Sequence, residues 1–478
     1  MVSQEIQSDI ILDGSSITEL NKIEELISIR ELDGEVQVTL PQDGASFPEN
    51  LAPPEFEWVG DADIWLLKFI IPDENITVLT RKNSFRPSSE LWSRIKASSK
   101  NRYIDTYLYG QKDSWLGGKS FRFRISESPA DGYIVYRMAG YPFNFATQKP
   151  PIYFRDISAD KAELFFETTS FCFSCHSFAK DSSKMIYSTR RDTEEGRIYG
   201  VDIIYADGSE YYELIKNDSG SPWVKGSMIG SWMPDHKTVL LEINAIPKSI
   251  EYTSDRTAEL YYGDVGDIGV YDVSSKKLWS LNGADKEGLR EYFPEPTPDG
   301  KFVSFAIQPI SEENSSINVD SDIYIIPFND GKGGIARPFH GASEKGVREY
   351  FQRFSPDGKW MTFNRVEGEG DVFLELSDIY IIPSSGGKAK RLECNSDNMD
   401  SLASWSTNSR WIVFTSRRYK NESRLYMAEI DEDGRAYPAV KVPGQEIGER
   451  LAYHQPYFVS DGRKLIEIRK KYENFFGI

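Results

Sequence analysis

The chain has 478 residues, of which 39% are hydrophobic and 13% aromatic, with 36 Gly, 24 Pro, three Cys and four His. That length supplies two or three domains with sizeable cores, and that apolar content excludes wholesale disorder. A formal net charge of −18 argues against nucleic acid or an anionic membrane surface as partner, since both repel an acidic protein. No apolar run approaches the ~18 residues that a membrane helix needs.

The opening Met1-Val2-Ser3-Gln4-Glu5 carries neither the basic nor the apolar region of an export signal. The cysteine pattern of the chain favours an exported protein all the same. A periplasmic, outer-membrane-associated or secreted location is therefore expected, with the signal lying outside this sequence. Residues 1–34 read as a polar tail with one short helix at 16–27. Ser16 and Glu19 fit a capping box there, ahead of Leu20, Ile23, Leu26 and Ile27.

Residues 35–148 change to strand patterning, with apolar alternation at 36–41, 43–48, 56–58, 64–69, 103–107, 121–125 and 133–136 and turn residues between. Such a series suits a β-sandwich, with a helical insertion around 89–95. The opening Asp43-Gly44-Ala45-Ser46-Phe47-Pro48, followed by Phe56-Glu57-Trp58, resembles the immunoglobulin-like or fibronectin III-like modules of secreted bacterial proteins. That resemblance implies a module that positions its neighbour or binds a partner, without catalytic residues.

Residues 149–478 repeat one sentence. Phe351-Gln352-Arg353-Phe354-Ser355-Pro356-Asp357-Gly358-Lys359 leads into the alternating Trp360-Met361-Thr362-Phe363. Pro before Asp-Gly is turn chemistry, because Pro presets the entry dihedral and Gly accepts a positive φ. The apolar alternation after it is strand chemistry. The same corner recurs at Asp181, Asp235, Asp299, Asn408 and Asp461. Each copy but the last is followed by a third strand of one type, such as Ile323-Tyr324-Ile325-Ile326 or Ile379-Tyr380-Ile381-Ile382.

Copies about fifty to sixty residues apart, with four short strands each, favour propeller blades over a helical solenoid. The sixth copy, with strands expected near 457–459 and 464–466, runs out of chain. Pro151 to Ile157 and Ala162 to Phe166 match the missing outer strands, so an exchange between the domain ends would close the ring and cover its edges. The expected fold class is all-β: a sandwich followed by a six-bladed propeller. The Pro-Asp-Gly-Lys corners with their Ile-Tyr strands resemble the repeats of TolB-like propellers. That family implies a periplasmic protein working with envelope lipoproteins, although the same repeat occurs in peptidase propellers, so function does not follow from fold.

Cys172-Phe173-Ser174-Cys175-His176 is the attachment pattern of c-type haem. Two thiols at that spacing add to the two porphyrin vinyl groups, and the adjoining imidazole reaches the iron as axial ligand. Cys172, Cys175 and His176 are thus candidate cofactor residues. His454 precedes its corner by nearly the same offset as Cys175 precedes Asp181, which nominates it as a sixth iron ligand, against the plainer reading of a packed histidine. A redox-active pair would start a helix. Zinc would need further ligands, and the third thiol, Cys394, lies between the fourth and fifth copies. Haem attachment and an empty or disulfide-bonded motif stay open.

Gly288-Leu289-Arg290-Glu291-Tyr292-Phe293 and Gly346-Val347-Arg348-Glu349-Tyr350-Phe351 are near-identical. Placed in loops at the channel mouth, Arg290, Tyr292, Arg348 and Tyr350 would be ligand-binding residues; the alternative is blade-to-blade packing repeated by duplication. No nucleophile elbow, phosphate loop or metalloprotease helix occurs, so no catalytic residue is nominated. The expected function is that of a non-enzymatic envelope binding or scaffold protein whose channel mouth engages a protein, peptide or glycan. The alternatives are a c-type haem protein for electron transfer and, more weakly, a propeller lyase or hydrolase.

Overall fold

The computed structural model describes residues 7–29, 36–72, 74–113, 115–140, 151–167, 171–193, 196–205, 213–214, 230–245, 247–250, 260–263, 265–310, 320–367, 377–419, 422–445 and 451–476. The side chains of Cys172, Cys175 and His454 lie outside that description, their backbone within it.

Six four-stranded antiparallel sheets carry the repeats. Sheet one opens with Phe171–Phe178, sheet two with Ser231–Trp232, sheet three with Leu289–Pro296, sheet four with Val347–Phe354, sheet five with Asp400–Trp405 and sheet six with Leu451–Val459. Each corner that follows a first strand is built alike, although in sheet six it leads into a helix rather than a second strand. The corner oxygen accepts a backbone N–H from two residues on: Asp181 from Ser183 at 3.0 Å, Asp235 from Lys237 at 2.8 Å, Asp299 from Lys301 at 3.1 Å, Asp357 from Lys359 at 3.1 Å, Asn408 from Arg410 at 3.0 Å and Asp461 from Arg463 at 3.0 Å. An Asx side chain closes such a turn by replacing a backbone acceptor. Asn serves as well as Asp because the turn uses only a side-chain oxygen; the Asn408 amide nitrogen donates instead to the Pro129 carbonyl at 2.6 Å.

The first strands share a second device. Phe293 (φ 53°), Phe351 (φ 56°), Leu402 (φ 61°) and Gln455 (φ 50°) are left-handed, each six positions before its corner. The pairing register slips beside the first three of them. In sheet one the slip falls between Phe173 and His176, at Ser174-Cys175. These are β-bulges, which re-aim the strand and its following side chains. The first strand of each sheet packs against that of the next, and Leu451–Val459 packs against both Asp400–Trp405 and Phe171–Phe178.

Sheet six departs from expectation. Its second strand is Tyr133–Gly140, paired Tyr133 to Val459, Ile134 to Phe458 and Val135 to Tyr457, with Ile152–Asp156 and Glu163–Phe166 outside it. The 133–136 segment expected in the sandwich is therefore here. Ile134, Val135 and Tyr136 are all fully buried, so the strand is apolar on both faces, as an interior strand requires. The 464–466 segment expected as a strand belongs instead to helix α3, Gly462–Phe476, whose Leu465 and Ile468 are buried at helical spacing against Phe165 and Phe166.

The N-terminal part pairs a six-stranded sheet with a three-stranded one. The capping box forms as expected: Ser16 N–H reaches Glu19 at 2.8 Å and Glu19 N–H reaches Ser16 Oγ at 3.3 Å, opening Ile17–Ile29. The expected insertion is a helix at Ser89–Ser98, capped by Ser88. Three strands were not anticipated: Gln7–Asp13, within the supposed tail, lies parallel to Glu74–Thr80, and Ser84–Phe85 pairs with Phe56–Val59. Phe47, Phe56, Phe69, Trp92 and Phe123 meet largely edge to face in the core, which continues into Trp411, Val413 and Leu425 of sheet five. Among the described residues no helix is long and apolar enough to cross a membrane.

Candidate functional site

Four positions before each corner, the first strand contributes one side chain to a shared cavity. These are Ser177, Ser231, Glu295, Arg353, Ser404 and Tyr457, and together they line one cavity of about 140 Å³. Arg353 Nη1 donates to Glu295 Oε2 at 2.5 Å and to Ser231 Oγ at 3.3 Å, and Ser231 Oγ donates to the same carboxylate oxygen at 2.8 Å. Tyr457 Oη donates to the Phe178 carbonyl at 3.4 Å. Burial raises the Glu295 carboxyl above its ordinary range, against the pull of Arg353 and Ser231. Burial, helped by Glu295, pushes the Tyr457 phenol up to about 12.

The cavity opens between the corners. Lys180, Pro234, Pro298, Pro356, Thr407 and Ser460, each one residue before its corner, form the rim. Trp232 and Trp405, three before theirs, stand in the wall. Trp405 Nε1 donates to the Arg353 carbonyl at 3.2 Å and Thr362 Oγ1 at 3.0 Å. Ile186 occupies the place in sheet one that Thr362 holds in sheet four, and Trp232 Nε1 is buried without a partner among the described residues.

His176 is buried beside this cavity, and neither ring nitrogen completes a hydrogen bond among the described residues. Burial, and then the Arg137 charge, lowers its pKa to about 3, with the Val135 backbone a small opposing influence. The ring is therefore neutral, as a metal ligand must be. However, the void beside it, bounded by Phe351, Arg353, Gln455 and Tyr457, measures about 10 Å³. That is room for about one water.

The other predicted residues fall as follows. Cys172 pairs with Arg190 and Cys175 lies in the mid-strand bulge, level with Phe293 and Phe351 rather than at a loop mouth. His454 pairs with Arg137 on the strand neighbouring that of His176, its side chain outside the described residues. Arg290, Tyr292, Arg348 and Tyr350 are not in loops: all are buried in the first strands of sheets three and four. Arg290 Nε donates to Glu242 Oε1 of sheet two at 2.9 Å, and its guanidinium lies 4.3 Å from the Tyr292 ring centre. Tyr292 and Tyr350 join Phe293, Phe351 and Leu402 in one cluster, which is packing between sheets. Among the described residues no group of three or more His, Cys, Asp or Glu could hold a metal ion. The six cavity-lining positions escaped sequence reading, although counting back four from each corner would have found them.

No protein-family model matches the chain, and no curated protein matches it in sequence. Among solved structures it is similar to TolB from Acinetobacter baumannii, at 16% identity and a TM-score of 0.45 over 74% of this chain and 78% of that one. It is also similar to hydrazine synthase of Kuenenia stuttgartiensis, at 16% identity and a TM-score of 0.35 over 59% and 71%, and to oligogalacturonate lyase of Vibrio parahaemolyticus, at 11% identity and a TM-score of 0.36 over 70% and 85%.

Proposed function

We propose that the six four-stranded sheets are the blades of one closed propeller, beginning near residue 132 and closed by strand exchange in sheet six. The preceding residues form an immunoglobulin-like sandwich fixed to blade five. The protein serves as a non-catalytic binding protein of the cell envelope and receives a peptide segment of a partner protein at the corner face. One observation carries this reading: the six equivalent corners are chemically uniform, whereas the six axial positions they frame are Ser, Ser, Glu, Arg, Ser and Tyr around a cavity. Uniform corners serve the fold. Diverse axial groups, in a concavity walled by Trp and rimmed by three prolines, are what recognition uses.

The Cys-x-x-Cys-His motif is proposed to be carried without haem, on the small void at His176. A photo-crosslinking residue placed at Lys180, Pro298 or Pro356 is expected to give a discrete adduct with one envelope protein, while one at the exposed Val59 gives none. Equal labelling from rim and Val59 would refute a corner-face site.

A further inference from the structure

Building on the corner-face reading, we propose that the floor of the axial cavity is a receptor for a carboxylate, and that the partner segment enters end-on and seats its C-terminal carboxylate on Arg353. Three observations lead there, and they are independent of one another.

The first is donor excess. Arg353 uses only Nη1 in its bonds to Glu295 and Ser231. Its remaining guanidinium hydrogens have no acceptor among the described residues, and the side chain borders the cavity. Trp232 Nε1, buried in the same wall, is a donor without a partner among the described residues. The Ser404 hydroxyl can donate as well, while Glu295 Oε2 already receives two bonds. A buried donor left without an acceptor is costly, so an acceptor arriving from outside recovers what the fold leaves unsatisfied.

The second is charge. In a chain of net charge −18, the charged residues lining this cavity are Lys180, Arg353 and Glu295, an excess of one cation. The corner carboxylates outside the rim each accept a backbone N–H, and Asp299, Asp357 and Asp461 are also paired with Lys301, Lys359 and Arg463. A guanidinium offers a carboxylate two parallel N–H donors, which favours this anion over a single-point acceptor.

The third is size. About 140 Å³, where about 10–15 Å³ holds one water, is room for on the order of ten waters or a short chain end, and Arg353 reaches across it to Ser231. A chain can insert its end there but cannot thread through.

The test uses the whole protein, with N-acetyl-alanine as probe and its amide as control, followed by Trp fluorescence and calorimetry. N-acetyl-alanine is expected to bind at least tenfold tighter than the amide. Arg353→Gln should abolish binding. Because that change strands a buried Glu295, two further variants keep the test sharp: Trp232→Phe should weaken binding several-fold, and Glu295→Gln should strengthen it several-fold by removing the competing carboxylate. Equal binding of acid and amide, or no gain in Glu295→Gln, overturns the proposal. If rim crosslinks form but the probe fails to bind, the corner-face reading stands and end-on insertion is wrong. If the probe binds but no rim crosslink forms, the carboxylate receptor stands and the protein-partner reading falls.

Discussion

Gly462 and Tyr133, far apart in sequence, are in direct contact: a Cβ on Gly462 would lie 2.0 Å from Cζ of the Tyr133 ring. This is where the strand from the N-terminal side enters sheet six and the chain turns away into α3 instead of continuing as a strand. The first prediction is that Gly462→Ala destabilises the protein by about 1–3 kcal/mol through overpacking, measured by urea unfolding. Tyr133→Ala in the same chain should recover part of the loss, and strictly additive costs would show that the contact is not the cause.

Glu429, 1% exposed on sheet five, accepts from Ser46 at 2.6 Å and Ser126 at 2.9 Å, and it pairs with Arg124 at 3.2 Å and Arg410 at 3.3 Å. Asp131 accepts from Thr407 beside it. Glu429→Ala is expected to cost about 3 kcal/mol, because the guanidiniums lose the carboxylate that offsets their burial. The thermal transition should then split, with early proteolysis between residues 127 and 131. One unsplit transition at the original temperature would mean that this hub does not join the two parts.

Burial raises the Glu291 carboxyl to about 7, with Asp267 and Asp285 adding to the effect and the Lys286 N–H opposing it. The folded state therefore holds this proton more tightly than the unfolded chain, whose ordinary value is 4.5. The stabilisation is complete below that value and is lost as pH rises through about 7. Melting temperatures measured from pH 5 to 8 should fall less in Glu291→Gln than in the parent. Parallel curves would locate the titration elsewhere.

Protein matured in a host with haem-attachment machinery is expected to show no Soret band after acid-acetone extraction. A band that survives extraction, and disappears in Cys172→Ser with Cys175→Ser, would establish attachment and require the packing around His176 to open.

Much of this fold is legible in the chain because its corners are local chemistry. An Asp or Asn that closes its own turn announces each of the six positions, wherever the sheets lie. The capping box at Ser16 is legible for the same reason. Sheet six is not, because a buried strand such as Tyr133–Gly140 has no alternation to say which sheet it joins, and its partner Leu451–Val459 lies at the other end of the chain. Gln7–Asp13 was obscured similarly: a parallel partner at Glu74–Thr80 leaves no turn signal. At the site, Arg290, Tyr292, Arg348 and Tyr350 suggested a ligand surface by residue type alone, but the same side chains equally suit a seam between sheets. The axial residues share a position and no residue type, so only the corner count brings them together.

Sheet six also imposes an order on synthesis. Tyr133–Gly140 leaves the ribosome long before Leu451–Val459, and until that last strand arrives one flank has bare backbone N–H and C=O groups able to pair with a neighbouring nascent chain. Sheet six cannot form until Leu451–Val459 has been made. A truncation ahead of Leu451 would thus leave Tyr133–Gly140 without that partner strand.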